Sequence, residues 1–306
     1  MPKMATCCVC SGVRLLRGCV AMSDAVSALF QQGRMYLGPY QWFEYRNIWH
    51  LTGTTSIMKL RLIIALLIVP FPSFLKVWIY RLGFGYKIGK RVKIGLSAIV
   101  AENCVIGDRT RIGHFNLFYR NQNLLIGADV IIGFANRIFG GSEIKIGDKC
   151  HIFRFNEINS ILDPLVLGEF DPRLELGEGA VITVNHKIDF TDKVTFGESV
   201  VFAGRNSNIW THNRQKSAPV SIGRNCYVGS NVQFVAGSSI GEYCVLALGS
   251  VVSKNIEGTW KVIGGMPAKV LKDLDEDSKV LVTYPTRPDL IDEESAENGS
   301  PLSPGG

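Results

Sequence analysis

Several things are scarce in this chain of 306 residues, and each scarcity closes a function class. No uncharged run is long enough to cross a bilayer. The most apolar, Leu62 to Leu75, holds 14 residues where about 20 are needed, and Pro70 and Pro72 would break a helix within it. Blocks of Lys and Arg interleaved with aromatics are missing, which argues against a nucleic-acid partner. The 33 basic residues against 27 acidic ones leave a net charge of +6, a balance that suits an anionic small ligand or a membrane surface. Among the five histidines no two stand five apart, so an H-x-x-x-x-H zinc pair is absent and no metal is expected. Cys7, Cys8 and Cys10 form C-C-x-C without a matching His/Cys cluster. Cys104, Cys150, Cys226 and Cys244 each follow a repeat-defining apolar residue by four positions, which predicts small buried side chains in one register, free thiols in a reducing compartment. A secretory signal is not expected at Arg14 and Arg17, because the apolar stretch after them is short and interrupted.

What is abundant is a period of six. From Val220 to Val252, apolar residues recur at Ile222, Val228, Phe234, Ile240, Leu246 and Val252, with Gly after them at Gly223, Gly229 and Gly241. Neither a helix nor a pleated strand repeats every six residues. A parallel β-helix does, with one hexapeptide per side of a coil and a small residue at the turn. The same period runs back to Ile88. Coils starting at Ile88, Ile106, Ile126, Ile146, Leu176, Phe196, Ile222 and Ile240 have spacings of 18, 20, 20, 30, 20, 26 and 18. Three hexads make 18, so the two largest excesses predict loops near Ser160 to Pro172 and between Phe202 and Val220. Loops on a rigid scaffold are where chemistry usually sits.

The flanks read differently. Residues 1–57 lack the hexad and predict a poorly ordered extension, with Met58 as an alternative start. Residues 58–85 predict a hydrophobic helical lead: Lys59, Arg61, Lys76 and Arg81 flank its apolar run beside Trp78 and Tyr80, which fits a monotopic membrane contact through 60–82 or a cap on the first coil. The β-helix is expected over 86–272, followed by an acidic flexible tail over 273–306.

Of the histidines, His212 alone sits in the predicted excursion between Phe202 and Val220. A neutral imidazole is the natural general base for a hydroxyl. His186, in V-N-H-K-I-D-F with Asp189 three residues on, falls at a coil edge.

The segment from His186 to Lys272 resembles the hexapeptide-repeat acetyltransferases, a left-handed β-helix family that includes galactoside, maltose and polysaccharide O-acetyltransferases. The residues that carry the resemblance are W-T-H-N (Trp210 to Asn213), A-P-V-S-I-G-R-N-C-Y-V-G (Ala218 to Gly229), L-G-S-V-V-S-K-N-I and the terminal G-M-P-A-K-V-L-K, with Met266 where relatives often carry Asn or Val. The resemblance implies a single left-handed parallel β-helix, acetyl-CoA as co-substrate, a saccharide acceptor at the cytoplasmic membrane face, and a homotrimer with sites between neighbouring chains. It implies His212 as catalytic base, His186 and Asn213 near the acceptor, and Gly229, Ser230, Leu248, Gly249, Ser253, Lys254 and Lys269 along the cofactor. Three other readings compete. A γ-class carbonic anhydrase shares the fold but needs the absent histidine pair. A serine or nucleotide-sugar N-acetyltransferase shares the fold, but serine acetyltransferases usually carry an N-terminal helical domain that residues 1–57 do not resemble. A non-catalytic β-helix scaffold or glycan-binding module would ignore loss of His212.

Overall fold

The computed structural model describes residues 58–160, 170–213 and 215–283, with two earlier strands, Arg34–Tyr36 and Trp42–Glu44. The chain divides into two compact units, Met1–Lys59 and Leu60–Gly306. In the first, the two strands pair antiparallel, with Arg34 opposite Glu44 and Tyr36 opposite Trp42. The extension thus holds a regular element that no hexad announces. The rest of residues 1–57 lies outside the described residues.

The second unit is a parallel β-helix whose inward residues stack in three columns. The first column runs Ile88, Ile106, Ile126, Ile146, Leu176, Phe196, Ile222, Ile240 and Ile256, each opposite the next. Every coil start expected from the hexads falls in it. The second column runs Ile94, Ile112, Ile132, Ile152, Ile182, Phe202, Val228, Leu246 and Ile263. The third runs Ile99, Phe118, Ile138, Ile158, Ile188, Ile209, Phe234 and Val252. All are buried. The hexad count puts Val100 where the long strand Ala98–Ile106 has Ile99, because three residues join Ile94 to Ala98 where four join Ile112 to Leu117. The same strand corrects a cysteine. Cys150, Cys226 and Cys244 each precede one row of the second column, before His151, Tyr227 and Val245. Cys104 instead lies opposite Leu124, in another row. All four thiols are free and buried, and burial pushes Cys104 up to about 12.

At the corner between the second and third columns, six buried polar side chains form a ladder: Ser97, Asn116, Asn136, Asn156, His186 and Ser207. Each accepts the backbone N–H of the next coil. Asn136 N–H donates to Asn116 Oδ1 at 2.9 Å, Asn156 N–H to Asn136 Oδ1 at 3.0 Å and His186 N–H to Asn156 Oδ1 at 2.9 Å. Ser207 N–H then donates to His186 Nδ1 at 3.1 Å, and Val232 N–H to Ser207 Oγ at 3.0 Å. A buried N–H at a corner has no ladder strand to meet, so the side chains supply its partner.

A β-helix exposes an open edge at its first coil. Two helical segments close it: residues 58–68 (α1) and Ser73–Gly83 (α2), interrupted at the prolines as expected. Ser73 Oγ accepts from Ile94 N–H at 2.8 Å, and Tyr80 Oη from Ile99 N–H at 3.0 Å. Arg81 donates to Ile88 O and Gly89 O at 2.6 and 2.8 Å, and Arg61 to Ala101 O at 3.0 Å. Lys76, 1% exposed, donates to Val69 O and Gly95 O, and burial lowers its pKa. The capping role of the lead is therefore met by specific side chains. At the far end, Lys261–Gly264 pairs antiparallel with Lys269–Asp273. A helix, Glu276–Thr283 (α3), follows where a flexible tail was expected. Acidic Glu276 and Asp277 in its first turn favour it, and Asn225 Nδ2 ties it down by donating to Val282 O at 3.0 Å. Residues 284–306 lie outside the described residues, as do 161–169 of the first predicted loop.

Candidate active site

After Ile209 in the third column the chain does not return to the first column until Val220. The intervening segment folds back on itself. His212 and Ser217 form an antiparallel bridge, and Asn213 N–H donates to Lys216 O at 2.9 Å. Asn213 Oδ1 accepts from Gln215 N–H and Lys216 N–H at 2.8 and 3.0 Å, the usual work of Asn in a turn. Ser217 Oγ donates to Asp192 Oδ2 at 2.9 Å and fastens the returning arm.

This hairpin sets His212 against the end of the preceding third-column strand. His212 Nδ1 lies 2.6 Å from Asp189 Oδ2, with the imidazole side chain 16% exposed and the carboxylate 1%. A buried carboxylate is stable only when its oxygens are filled. Asp189 Oδ2 also accepts from Thr211 N–H at 3.1 Å and Thr211 Oγ1 at 3.2 Å. Asp189 Oδ1 accepts from Thr191 N–H and Thr191 Oγ1 at 3.0 and 2.7 Å. Asp192 N–H in turn donates to Thr211 Oγ1 at 3.0 Å. Facing an acceptor-only carboxylate, Nδ1 carries the hydrogen and donates it. Nε2 is then the ring's basic atom.

Asp189 is the residue of this candidate site that the sequence does not single out. It was noted only as a neighbour of His186, whereas it serves His212 in the next coil. The available signal was its place directly after Ile188, one coil before Ile209.

His186 does not join this arrangement. It is 1% exposed, its Nδ1 accepts from Ser207 N–H, and its Nε2 lies 2.9 Å from Thr183 Oγ1. The consistent tautomer donates from Nε2 to Thr183, whose hydroxyl donates onward to Phe202 O or Gly204 O. Its ring packs edge-on against Phe202 at 4.7 Å, and burial pulls its pKa down to about 4. With both nitrogens engaged it has no atom left for an acceptor, so the acceptor-site expectation for His186 does not fit its position. Asn213 is exposed, but its Oδ1 is spent on the turn. Beside the hairpin, Trp210 is 40% exposed with Lys187 Nζ 5.2 Å over its ring, and Lys187 also pairs with Glu157 at 2.9 Å.

The residues expected along a cofactor lie on two edges of one outer face. Gly229, Ser230, Leu248 and Gly249 occupy the corner before the third column, with Gly249 N–H donating to Ser230 O at 3.0 Å. Ser253 and Lys254 follow Val252 and are exposed, at the His212 corner two coils further on. Lys269, exposed, follows Ala268, whose N–H donates to Val251 O at 2.8 Å. Two of the small residues differ in what requires them. At Gly229 a Cβ would meet Leu246 O at 2.9 Å, so stacking on the next coil demands glycine there. Gly249 has φ +72° and open space where a Cβ would stand, beside Leu248, 70% exposed. That open backbone is where a ligand can approach. Ser230 Oγ accepts from Arg205 N–H at 3.2 Å and so holds a neighbouring coil. Among the described residues, no group of three His, Cys, Asp or Glu could hold a metal ion.

A parallel β-helix of hexapeptide coils, with a carboxylate-held histidine on a hairpin beside its last coils, defines the class to which the comparisons speak. No family model matches the chain. Galactoside O-acetyltransferase of Escherichia coli (strain K12) is 25% identical over 131 residues, 40% of this chain and 64% of that relative's length. A maltose O-acetyltransferase structure from Clostridium difficile 630 is 28% identical with a TM-score of 0.29, covering 34% of this chain and 60% of that one. A hexapeptide-repeat acetyltransferase of Vibrio cholerae O1 biovar eltor, complexed with acetyl coenzyme A, is 16% identical with a TM-score of 0.32, covering 72% and 89%. The match to the curated relative bears out the resemblance to hexapeptide-repeat acetyltransferases. The chain spans less than two thirds of that relative.

Proposed function

We propose that this protein is an acetyl-CoA-dependent O-acetyltransferase acting on a sugar hydroxyl of a cell-surface polysaccharide, lipopolysaccharide or glycolipid precursor. The observation that carries the reading is the 2.6 Å contact between His212 Nδ1 and buried Asp189. Asp189 fixes the tautomer and the ring's orientation, and it stabilises the imidazolium that forms. His212 Nε2 takes the proton from the acceptor hydroxyl as that oxygen attacks the thioester carbonyl. The carbon–sulfur bond breaks, and the proton passes to the departing thiolate. General-base help of this kind is worth about 10² to 10⁴-fold, and holding acceptor and thioester together supplies more. The pantetheine arm runs against Leu248 and the open backbone at Gly249, with Gly229 keeping the coils close beneath it. Lys254 and Lys269 meet the phosphates, with Ser253 beside them. Trp210 and Asn213 flank the acceptor. The working form is a homotrimer, placed at the inner face of the plasma membrane.

The test is calorimetric titration of acetyl-CoA into the full chain, then acetyl transfer to a panel of glycans. The expected result is binding at a Kd of about 1 mM or tighter, with transfer lost in His212→Ala while binding persists. A folded protein that takes up no acetyl-CoA overturns the reading and leaves a β-helix scaffold or glycan-binding module.

A further inference from the structure

The two capping helices carry more apolar surface than a cap uses. α1 buries Ala65 and Ile68 and exposes Leu60, Ile63, Leu66 and Leu67 at 59%, 56%, 52% and 68%. α2 buries Val77 and Tyr80 and exposes Phe74, Trp78 and Leu82 at 76%, 59% and 68%. Positions 74, 78 and 82 are four apart, so they make one stripe along α2. Each helix therefore has two apolar sides, one packed on the first coil and one facing outward. An outward apolar surface of this extent marks an interaction site.

Charge accompanies it. Residues 60–111 hold nine Lys and Arg against two acidic residues, Glu102 and Asp108. That local excess is larger than the +6 of the whole chain, so the other residues taken together are not basic. Lys87, Lys90, Arg91 and Lys93 belong to the first coil and are exposed. Phe74 at the start of α2 lines a groove with Arg91, Lys93, Arg109 and Arg111. The carboxylate lining this groove, Asp129, pairs with Arg109 at 2.6 Å. Apolar stripes rimmed by cations match the two layers of an anionic bilayer surface, hydrocarbon below and phosphate above. α2 has 11 residues, about 16 Å at 1.5 Å per residue, half a hydrocarbon core. Such a helix lies in the surface.

We infer that this end of the β-helix docks on an anionic lipid bilayer, with Phe74, Trp78 and Leu82 entering the headgroup layer and Lys90, Arg91 and Lys93 meeting lipid phosphates. This deepens the membrane placement proposed above and rests on it. Its failure leaves acetyl transfer to a soluble acceptor standing, because the lipid test needs no acetyl-CoA.

The test is flotation of the full chain with vesicles of phosphatidylcholine alone and of phosphatidylcholine with phosphatidylglycerol, at low and high salt. The expected result is at least about tenfold more floated protein with phosphatidylglycerol at low salt, falling as salt screens the charges. Phe74→Ser with Trp78→Ser abolishes flotation, and Lys90→Glu with Lys93→Glu removes the preference for phosphatidylglycerol. Far-UV circular dichroism and urea unfolding check that these variants fold. Should either fail to fold, quenching of tryptophan fluorescence by brominated lipid, compared between the native chain and Trp78→Phe, replaces it, and Trp78→Phe is expected to lose most of the quenching. Protein that stays unfloated with both vesicle types overturns the inference. So does quenching unchanged by Trp78→Phe. Self-association without vesicles that the serine variant abolishes would assign the stripes to a second copy and also overturn it.

Discussion

His186 and His212 lie 26 residues apart in adjacent coils, yet they occupy opposite situations. His186 sits at the corner before the third column, as the ring that takes an asparagine's place in a buried ladder between Asn156 and Ser207. Both its nitrogens are engaged, and burial disfavours its charged form. His212 sits at the corner after the third column, where the chain leaves the coil and returns as a hairpin. One nitrogen rests on a buried carboxylate, and the ring keeps 16% exposure. The same side chain is thus wall in one place and candidate base in the other. What separates them is coil register, which decides whether the next coil's backbone or a loop meets the ring.

The comparison breaks most sharply at the second corner. His212→Ala is expected to lower kcat by about 10² to 10⁴-fold, measured by acetyl transfer, and to lower the unfolding midpoint in urea as well, because buried Asp189 loses a hydrogen-bond partner. Asp189→Asn keeps the shape but supplies an amide that cannot stabilise the imidazolium. Its kcat/KM should fall by about 10²-fold or more, with a changed pH–rate profile that a merely structural role would not produce.

At the first corner the effect falls on stability. His186→Ala leaves the Ser207 N–H buried without a partner and opens a void beside Phe202, a loss of about 2–4 kcal/mol by urea unfolding. His186→Asn restores the ladder's own residue and should cost about 1 kcal/mol. Transfer activity is expected to persist in both wherever the protein is folded. The pH dependence has a definite sign. With a folded pKa of about 4 below the unfolded value, protons favour the unfolded chain. The contribution is therefore complete above about pH 6.5 and is lost as pH falls toward 4, by about 3 kcal/mol. His186→Asn flattens this slope.

The smallest effects belong to the exposed cations. Lys254→Glu or Lys269→Glu should raise the KM for acetyl-CoA about threefold each at low salt and less at high salt, with kcat unchanged.

Much of the fold was legible because the hexad is local and repetitive. Ile146 pairs with Leu176 across 30 residues and Phe196 with Ile222 across 26, and both pairings follow from continuing the period beyond each excess. It misled at Val100, where the corner before Ile99 is one residue short, and at Cys104, which follows the third column and not the first. The candidate site was half legible. His212 stood out by its excursion and Gly249 by the family resemblance, whereas Asp189 and the ladder were hidden. Their partners lie one coil away at 19 to 30 residues' separation, and no local pattern marks which side of a corner a polar residue faces.

The amino-acid sequence by itself determined the β-helix, its coil starts, the place of its main excursions and the apolar, basic character of the lead. These follow from burying one apolar residue every six. Only the tertiary structure decided that Asp189 serves His212, that His186 belongs to the wall, and that α1 and α2 keep a second apolar face after closing the first coil. Each of these depends on which groups the neighbouring coil presents, because a buried N–H or carboxylate takes whatever partner stacking brings within about 3 Å.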